Sequence, residues 1–291
     1  MLRLGPPRLS FVIPAWNQER FLAASVGSAL SQTIHDIEVV VVDDASTDAT
    51  PHILAAIDDP RLVALRSERN LGPGGARNLG LEAAQAPIIA FLDADDMAAP
   101  ERAERQLAFF AAHPGHVLVG SAYGVIDEQD HVLRVERPVE TEDTALRFTS
   151  LFLSPVHLTT SAIRADIART QNVAFPTDCR IVEDYRFVSA LIRHGKVANL
   201  PDVLTYYRRH EAMTSRRFEQ EGWQGFAEAS AANISALGVD CDAFLAARLA
   251  QVHLAKISGA AVPEGETLVE QLYETLKQLF EATDTLRQNS R

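Results

Sequence analysis

The sequence predicts an α/β protein with a mostly parallel sheet, helices on both faces of that sheet, and a C-terminal helical extension. Short apolar runs alternate with helix-like patterns over residues 8–121. This alternation is typical of βαβ units, whose right-handed crossovers place helices on both faces. Residues 37–42 are nearly all β-branched, which indicates a central strand covered on both sides. Beyond residue 216 the pattern is mainly helical, so we expect the extension over residues 216–291.

The composition indicates a globular protein and excludes several classes of partner. Of the 291 residues, 47% are hydrophobic and 23% are charged, so the chain can bury a sizeable core. The formal net charge of −12 argues against a surface built to bind nucleic acid. No apolar run approaches the roughly 18 residues of a membrane span. Cys179 and Cys241 have no metal or redox spacing, so we expect reduced core thiols in a cytoplasmic protein.

Four strands and four helices are predicted in the first half, in alternation. The strands are short apolar runs at residues 9–13, 37–42, 62–65 and 88–92. The first helix is indicated by apolar residues that share one face: Phe21, Leu22, Val26, Ala29 and Leu30. Thr50 and Pro51 have the pattern of a helix N-cap and first helical residue. The Gly-Pro-Gly-Gly run at residues 72–75 is expected to break the chain before the third helix, and Pro100 opens the fourth.

The periodicity weakens from about residue 122 onward. We expect an edge strand over 131–135, a helix over 141–152 and a strand over 159–163. A helix opens at Glu183, and Gly195 is expected to stop it.

Two further features are expected nearer the C-terminus. Residues 197–200 and 203–207 are expected to form a strand pair turned at Pro201. Five apolar residues then recur at helical spacing: Leu268, Leu272, Leu276, Leu279 and Phe280. Because this repeat is short for a coiled coil, we favour a helix packed on its own domain over a homodimer seam.

Polar residues follow the predicted strands at the edge where open α/β sheets bind ligands. They are Asn17, Asp43, Asp44, Asn70 and the acidic run from Asp93 to Asp96. Crowded carboxylates repel one another unless a cation neutralises them, and Mg²⁺ or Mn²⁺ carrying a diphosphate is a suitable partner. The alternative is a turn-forming role for each residue alone, with the acidic run as a solvated turn that caps the next helix.

Six motifs occur in a specific order and spacing. They are residues 11–17 (Phe-Val-Ile-Pro-Ala-Trp-Asn), 41–48 (Val-Val-Asp-Asp-Ala-Ser-Thr-Asp), 70–80 (Asn-Leu-Gly-Pro-Gly-Gly-Ala-Arg-Asn-Leu-Gly), 92–96 (Leu-Asp-Ala-Asp-Asp), 183–184 (Glu-Asp) and 207–210 (Tyr-Arg-Arg-His). Together they strongly resemble the family 2 glycosyltransferases, which have the Rossmann-like GT-A fold and use nucleotide-diphosphate sugars. The resemblance covers roughly residues 8–215. It implies a catalytic domain over 1–215, with a nucleotide-sugar half at about 8–121 and an acceptor half at about 122–215.

The resemblance implies a donor site at the strand ends. Asp43 would accept a hydrogen bond from the base, typically uracil N3–H, whereas Asp44 is expected to fix the turn with Ser46. Trp16 belongs either to the wall of the base pocket or to the core. Arg77 either points at the nucleotide or is an ordinary surface arginine. The implied donor-binding residues are Pro14, Ala15, Trp16, Asn17, Asp43, Asp44, Asn70, Gly74, Arg77, Asp93 and Ala94.

The resemblance also implies a metal site for Mn²⁺ or Mg²⁺. Asp93 would hold the ribose or the sugar, and Asp95 would hold the metal. His210 either completes the metal or diphosphate site or is a structural histidine. Asp96 either assists the metal or caps the helix after Met97.

Glu183 and Asp184 are the expected chemical centre. The resemblance favours Asp184 as the general base that deprotonates an acceptor hydroxyl as it attacks the anomeric carbon. This predicts inverting transfer of one sugar. The alternative is that both carboxylates only favour the first turn of a helix.

The acceptor is expected to bear a hydroxyl group and to bind in the second half of the domain. A lipid-linked glycan is one such acceptor, and it would bring peripheral membrane contact. The candidates for the acceptor pocket are residues 154–157, Thr159 and Thr160. The Gln-x-x-Arg-Trp motif of processive synthases is absent, so we expect one linkage at a time. Ala45 stands where relatives often have glycine, which a turn without positive φ would tolerate.

Two other functions compete with this interpretation. A nucleotidyltransferase usually carries a Gly-rich loop with Arg and Lys after the first strand, where residues 14–17 read Pro-Ala-Trp-Asn. A non-catalytic module that binds a nucleotide sugar, or assembles through the C-terminal helices, would not hydrolyse the donor. The intact carboxylates Asp93, Asp95 and Asp184 favour an enzyme.

Overall fold

The computed structural model of the protein describes residues 5–211, 219–262 and 265–289. The expected boundary between the catalytic domain and the extension, at residues 215 and 216, lies outside these ranges. The strands are β1 Leu9–Ala15, β2 Ile37–Asp43, β3 Leu62–Arg66, β4 Ile88–Phe91, β5 Met97–Ala98, β6 His116–Ile126, β7 Val132–Glu136, β8 Ala162–Arg164 and β9 Lys196–Arg208. The α-helices are α1 Leu22–Leu30, α2 Thr50–Ala55, α3 Gly72–Ala83, α4 Arg102–Ala112, α5 Asp143–Thr149, α6 Ala165–Thr170, α7 Glu183–Leu191, α8 Glu219–Ser235, α9 Ala243–Ser258 and α10 Thr267–Asn289.

The strands form one mixed sheet in the order β3-β2-β1-β4-β8-β6-β9-β5. β8 pairs antiparallel with the first part of β6, and β7 pairs antiparallel with its last part. Only β5, β7 and β8 of the described strands run against the others. The predicted α/β fold with a mostly parallel sheet is therefore confirmed.

Alternate residues of the central strands pack against helices on opposite faces of the sheet. Phe11 and Ile13 of β1 belong to one cluster, with apolar residues of α1 and α4. Val12 belongs to the other cluster, with residues of α3 and α7. β2 is buried along its whole length, which confirms the predicted central strand.

Several expected elements differ from the structure. Residues 196–208 form one continuous strand, so the expected pair turned at Pro201 is wrong. β9 instead continues through Pro201, and its register against β6 shifts near Ser121 and Ala122. The expected break at residues 72–75 is the first turn of α3, and α2 starts at Thr50 with Ala49 as its N-cap.

The C-terminal helices α8, α9 and α10 pack on α5 through a third apolar cluster. Leu276 and Phe280 lie in this cluster, as expected for a helix that packs on its own domain, whereas Leu268 is exposed. The homodimer stays a prediction. No helix in the described ranges is both long enough and apolar enough to cross a membrane.

The two cysteines differ in burial. Cys241 is a free, buried thiol in the third cluster, as expected. Cys179 is only partly buried, so the expectation that both are core thiols is wrong for this residue.

Candidate active site

The carboxyl ends of β1, β2 and β4 lie at one edge of the sheet. β1 is parallel to both neighbours, with Ala15 opposite Asp43 in β2 and Val12 opposite Phe91 in β4. The loops that follow these strands therefore share one side of the molecule, where open α/β sheets bind ligands.

Hydrogen bonds lock the loops after β1 and β2 to each other. The backbone N–H of Asn17 donates to Ser46 Oγ at 2.9 Å, and Asn17 Oδ1 accepts from the backbone N–H of Thr47 at 2.9 Å. Asn17 and Ala45 are both left-handed, with φ of 53° and 57°. The expectation that Ala45 avoids positive φ is wrong, and alanine carries a strain there that glycine would not.

The residues of the expected base pocket differ in exposure. Ala15 is buried in the sheet, Pro14 is half-buried, and Trp16 is 46% exposed. Trp16 is therefore not a core residue. Its indole stands at the strand end, where the wall of a base pocket is predicted, and that role stays a prediction.

Asp43 is buried and is held within its own loop. Its Oδ1 accepts from the backbone N–H of Ser46 at 2.9 Å, and its Oδ2 forms an ion pair with Arg66. Arg66 also donates to the backbone carbonyl of Ser46 at 2.9 Å. Asp43, rather than Asp44, thus fixes the turn with Ser46.

Asp44 binds the start of α3 instead. Its carboxylate accepts from the backbone N–H of Leu71 at 2.8 Å, from that of Gly72 at 2.9 Å and from Ser67 Oγ at 2.9 Å. The expectation that Asp44 fixes the Ser46 turn is wrong, because successive side chains at a strand end point in opposite directions.

Asn70 and Gly74 contact other parts of the chain. Asn70 donates to the backbone carbonyl of Asp44 at 3.3 Å and accepts from Arg180 at 3.3 Å. A Cβ on Gly74 would collide with the carbonyl oxygen of Pro176. The close approach that Gly74 permits is therefore explained by chain packing, and its contact with a nucleotide stays a prediction.

Arg77 is buried and joins two elements of the site. It donates to Asp93 Oδ1 at 2.8 Å and to Glu183 Oε1 at 2.6 Å. Burial works against its charge, but Asp93 and Glu183 outweigh that effect and raise the pKa of Arg77 above its ordinary value. The interpretation of Arg77 as a surface arginine is wrong. It links the acidic run after β4 to the first turn of α7.

The acidic run after β4 contains two kinds of carboxylate. Asp95 Oδ2 lies 2.9 Å from Nε2 of His210, so the structure brings together the two predicted metal ligands. Asp96 is fully buried and accepts from the backbone N–H of Arg208 at 2.9 Å. Burial, with the charges of Asp95 and Asp93, raises the pKa of Asp96 well above its ordinary value. Asp96 does not cap α4.

The side chains available as metal ligands at this site would need a bound substrate to complete the coordination of a metal ion. Within the described ranges, no group of three or more His, Cys, Asp and Glu side chains is arranged to bind a metal ion. Asp95 and His210 supply one carboxylate and one imidazole, a pair that suits Mn²⁺ or Mg²⁺ only if phosphate oxygens complete the shell.

Buried polar atoms without a hydrogen-bond partner concentrate at this site. In the part of the chain that the structure describes, they are Arg77 Nε, Asp96 Oδ2 and His210 Nδ1. Most buried polar atoms in proteins have partners, and each exception asks for an explanation. All three lie around the acidic run, where the sequence predicts that the metal and the diphosphate bind.

The first turn of α7 carries Glu183 and Asp184 after a strained residue. Val182 is left-handed, with φ of 65°, which is unfavourable for a β-branched side chain. Glu183 is buried, and burial together with Asp184 raises its pKa to about 7 against the opposing effect of Arg77. Asp184 is half-buried, and its Oδ1 accepts from the backbone N–H of Tyr185 at 2.7 Å.

Helix α8 packs directly against this turn. A Cβ on Gly225 would lie 3.0 Å from Cγ2 of Val182, and Phe226 stacks on Tyr185 with ring centroids 5.3 Å apart. The C-terminal helices therefore support the segment that holds Asp184.

Two buried arginines that the sequence reasoning did not single out organise the acidic run. Arg102 donates to the carbonyl oxygens of Phe91 and Thr159 at 2.7 and 2.8 Å, and burial lowers its pKa to about 9. Arg208 donates to the carbonyl of Asp95 at 2.8 Å. The sequence could have pointed to Arg208, because it lies in the last motif. It gives no such indication for Arg102, which has the pattern of an exposed helix residue.

The candidates for the acceptor pocket separate by burial. Thr159 and Thr160 are fully buried, and Thr159 Oγ1 accepts from the backbone N–H of Asp93 at 3.1 Å. These threonines are therefore supports rather than acceptor contacts. Among residues 154–157, His157 is the one that is exposed.

Known proteins resemble this chain in both sequence and fold. The sequence model described as Glycosyl transferase family 2 matches residues 10–170. A protein of Escherichia coli named UDP-Glc:alpha-D-GlcNAc-diphosphoundecaprenol beta-1,3-glucosyltransferase WfaP is 31% identical over 210 residues, which are 71% of this chain and 79% of that protein.

Two solved structures share the fold. The crystal structure of S. aureus TarS 1-349 in complex with UDP-GlcNAc matches with a TM-score of 0.67 at 22% identity, over 90% of this chain and 75% of that chain. Mannosyltransferase PcManGT from Pyrobaculum calidifontis, in complex with GDP-Man and Mn²⁺, matches with a TM-score of 0.59 at 20% identity, over 97% and 87%. At these identities the likeness concerns the fold alone.

Proposed function

The chain belongs to glycosyltransferase family 2, and we propose that it transfers one sugar from a UDP-sugar to a hydroxyl acceptor with inversion at the anomeric carbon. We place this reaction in polysaccharide or glycoconjugate synthesis in the cytoplasm. The observation that carries the proposal is the convergence on Arg77 of a metal-type acidic run and a helix start with a candidate base. Asp93 stands on one side of Arg77, and Glu183 and Asp184 stand on the other.

The donor is proposed to be a UDP-sugar on two grounds. WfaP is named for UDP-Glc, and TarS was solved with UDP-GlcNAc. In this chain, the carboxylate of Asp43 and the exposed indole of Trp16 stand at neighbouring strand ends, where an acceptor group and an apolar wall for uracil are required.

A divalent metal is proposed to assist the reaction. Asp95 and His210 would hold it, and the name of the PcManGT complex includes Mn²⁺. Bound there with the donor, the metal would neutralise charge on the departing diphosphate. Arg77 lies beside Asp93 and supplies a fixed positive charge on the same side of the site.

Asp184 is proposed to be the general base. The acceptor oxygen forms a bond to the anomeric carbon while the bond from that carbon to the diphosphate oxygen breaks. The acceptor proton passes to the carboxylate of Asp184, and UDP leaves. Asp184 Oδ1 accepts from the backbone N–H of Tyr185, so Oδ2 is the oxygen proposed to receive the proton.

The test compares Asp184→Asn with the wild type in two assays. Release of UDP from UDP-glucose or UDP-GlcNAc, with water as the acceptor, is expected to fall by about 10²- to 10⁴-fold. Calorimetric binding of UDP in the presence of Mn²⁺ is expected to stay unchanged, because the carboxamide keeps the shape of the side chain. The matched control is Asp178→Asn, since Asp178 is an exposed carboxylate paired with Arg186 shortly before the same helix.

Two results would count against this assignment. Equal loss of UDP binding and UDP release in Asp184→Asn would give the residue a binding role instead of a base role. A wild type that binds UDP but never releases it from either donor would favour the non-catalytic nucleotide-sugar module.

A further inference from the structure

Three aromatic rings form a cluster on the acceptor side of the site. Tyr123 of β6, His157 and Tyr207 of β9 contact one another, and we call them the aromatic cluster. Ring centroids lie 5.0 Å apart for Tyr123 and His157, 4.9 Å for His157 and Tyr207, and 6.0 Å for the two tyrosines. His157 is exposed and both tyrosines are half-buried, so solvent reaches the cluster.

The position of the cluster follows from the sheet order. β4 lies between β1, which precedes the expected base pocket, and the pair β6 and β9. The acidic run after β4 therefore separates the expected base pocket from the aromatic cluster. An acceptor must approach the anomeric carbon from the side opposite the diphosphate in an inverting displacement, and the cluster lies across the acidic run from the expected base pocket.

His157 ties the cluster to the reacting groups. Its ring interacts electrostatically with both Asp93 and Asp184, the carboxylates expected to hold the sugar and to take the proton. Two residues later, Thr159 accepts from the backbone N–H of Asp93 at 3.1 Å. The segment that carries His157 is therefore fixed to the acidic run through Thr159, and the ring lies within electrostatic range of the candidate base.

The chemistry of the three side chains selects a class of ligand. Each has an apolar ring face and a polar atom at its edge, and such a ring binds one apolar surface and one hydrogen-bonding group together. Desolvation by the groups around the ring lowers the pKa of His157, which favours the neutral imidazole, a form that both donates and accepts hydrogen bonds. A pyranose ring has matching parts: apolar C–H faces and a rim of hydroxyl groups.

We infer that the aromatic cluster is the acceptor subsite and that it binds a pyranose ring of the acceptor, with a ring hydroxyl directed towards Asp184. The inference rests on the proposed function, because it concerns the second substrate of the same reaction. It assigns the acceptor to the glycosides, as opposed to acyclic polyols or phosphate-rich chains, which offer no apolar ring face for stacking.

The experiment measures saturation-transfer NMR on the full chain with UDP and Mg²⁺ present. The probes are methyl β-D-glucopyranoside and methyl N-acetyl-β-D-glucosaminide as pyranosides, and ribitol as an acyclic polyol. The wild type is expected to transfer saturation to the ring protons of a pyranoside and far less to ribitol. Tyr123→Ala and Tyr207→Ala are each expected to weaken glycoside binding about tenfold, whereas the matching Phe variants keep it, because the ring face supplies the contact.

The matched control lies at the other end of the same strand. Phe109, His113 and His116 form a second ring cluster at the start of β6, with centroids 4.4 to 5.3 Å apart. His113→Ala removes an exposed ring from that cluster and is expected to leave glycoside binding unchanged. Thermal unfolding of each variant identifies loss of fold, and the Phe variants retain a readout if an Ala variant fails to fold.

Three outcomes would overturn the inference. They are no saturation transfer to either glycoside in the wild type, equal transfer to ribitol, and full binding in both Ala variants. Calorimetry with UDP separates this failure from failure of the proposed function. If the wild type binds UDP but no glycoside, only the acceptor-subsite inference is wrong. If it binds no UDP, the proposed donor site is wrong.

Discussion

The acidic residues that end β2 and those that follow β4 have similar sequences but differ in how completely the protein satisfies their hydrogen bonds. Asp43 and Asp44 use both of their carboxylate oxygens within the protein, on loop and helix N–H groups, on Ser67 and on Arg66. Their bonds hold the loop after β2 and the start of α3. These bonds build the framework of the site, and Asp43, whose oxygens each keep a second lone pair, is in addition the proposed acceptor for the base.

The residues after β4 are less completely bonded. Asp96 Oδ2 has no partner, and neither has Nδ1 of His210, which faces Asp95 through its other ring nitrogen. Arg77 Nε, next to Asp93, is also buried without a partner. Leaving such groups unpaired costs about 1 to 3 kcal/mol each, so a fold that retains them gains little stability from them.

The difference separates two uses of the same residue type. A carboxylate whose oxygens are all occupied by the protein stabilises the fold, and its loss should be seen first in unfolding. A carboxylate beside unpaired buried atoms is placed for a ligand, and its loss should be seen first in binding. Replacing aspartate by asparagine at Asp44 and at Asp95 therefore tests this distinction.

The largest effect is expected for Asp95→Asn. The carboxamide keeps the size of the side chain beside His210 but removes the negative charge that a divalent metal requires. We expect calorimetric affinity for UDP in the presence of Mn²⁺ to fall about a hundredfold, which corresponds to about 2.8 kcal/mol. Affinity without metal should change little.

Unfolding of the same variant provides the contrast. Without ligand, the midpoint of thermal unfolding of Asp95→Asn should stay close to that of the wild type, since the pair with His210 keeps a hydrogen bond. A large drop in that midpoint, with metal-dependent binding intact, would place Asp95 among the framework residues and remove the distinction between the two strand ends.

The next effect is expected for Asp44→Asn. Because both carboxylate oxygens accept from the start of α3, a carboxamide must direct its N–H₂ group at the backbone N–H of Leu71 or Gly72. A pair of donors facing each other leaves a buried N–H unsatisfied, so we expect a loss of about 2 kcal/mol in the free energy of unfolding, measured with urea. Folded Asp44→Asn should bind UDP almost as the wild type does, and lost binding with unchanged stability would contradict a framework role.

The sequence predicts the first half of the fold well because each element there has a local signal. The strands of β1 to β4 are short apolar runs, and the alternation with helices sets their parallel order. The second half depends on pairing that local patterns do not specify. Residues 196–208 contain Pro201 and Asp202, which suggest a turn, yet tertiary pairing with β6 keeps them in one strand.

The residue types of the site are predictable, but their bonding is not. The motifs identify Asp95 and His210, 115 residues apart in the chain, and the structure brings them together. They do not reveal that Asp44 accepts hydrogen bonds from the start of α3, because the sequence pattern of a strand-end aspartate does not show which way its side chain points. The burial of Arg77 and Arg102 is also hidden, since an arginine at a helix start normally indicates solvent exposure.

The smallest effect is expected in the pH dependence of Glu183→Gln. In the folded protein the pKa of Glu183 is raised to about 7, whereas a glutamate in the unfolded chain titrates near 4.5. Between these values the folded state binds more protons than the unfolded state, so this group makes stability fall as pH rises from about 4.5 to 7. Glutamine cannot titrate, so the difference in unfolding free energy between wild type and variant should change with pH across that interval and stay constant outside it.

Taking the difference between the two proteins cancels other titrating groups. Burial lowers the pKa of His253, in the C-terminal helices, to about 4, which makes stability rise between about pH 4 and 6.5 in wild type and variant alike. Urea unfolding at pH 4.5, 5.5, 6.5 and 7.5 therefore isolates Glu183, whereas a constant offset from the lost pairing with Arg77 leaves the slope unchanged. Parallel curves would mean that Glu183 is ionised throughout, and the first turn of α7 would then belong with the fully paired carboxylates of β2.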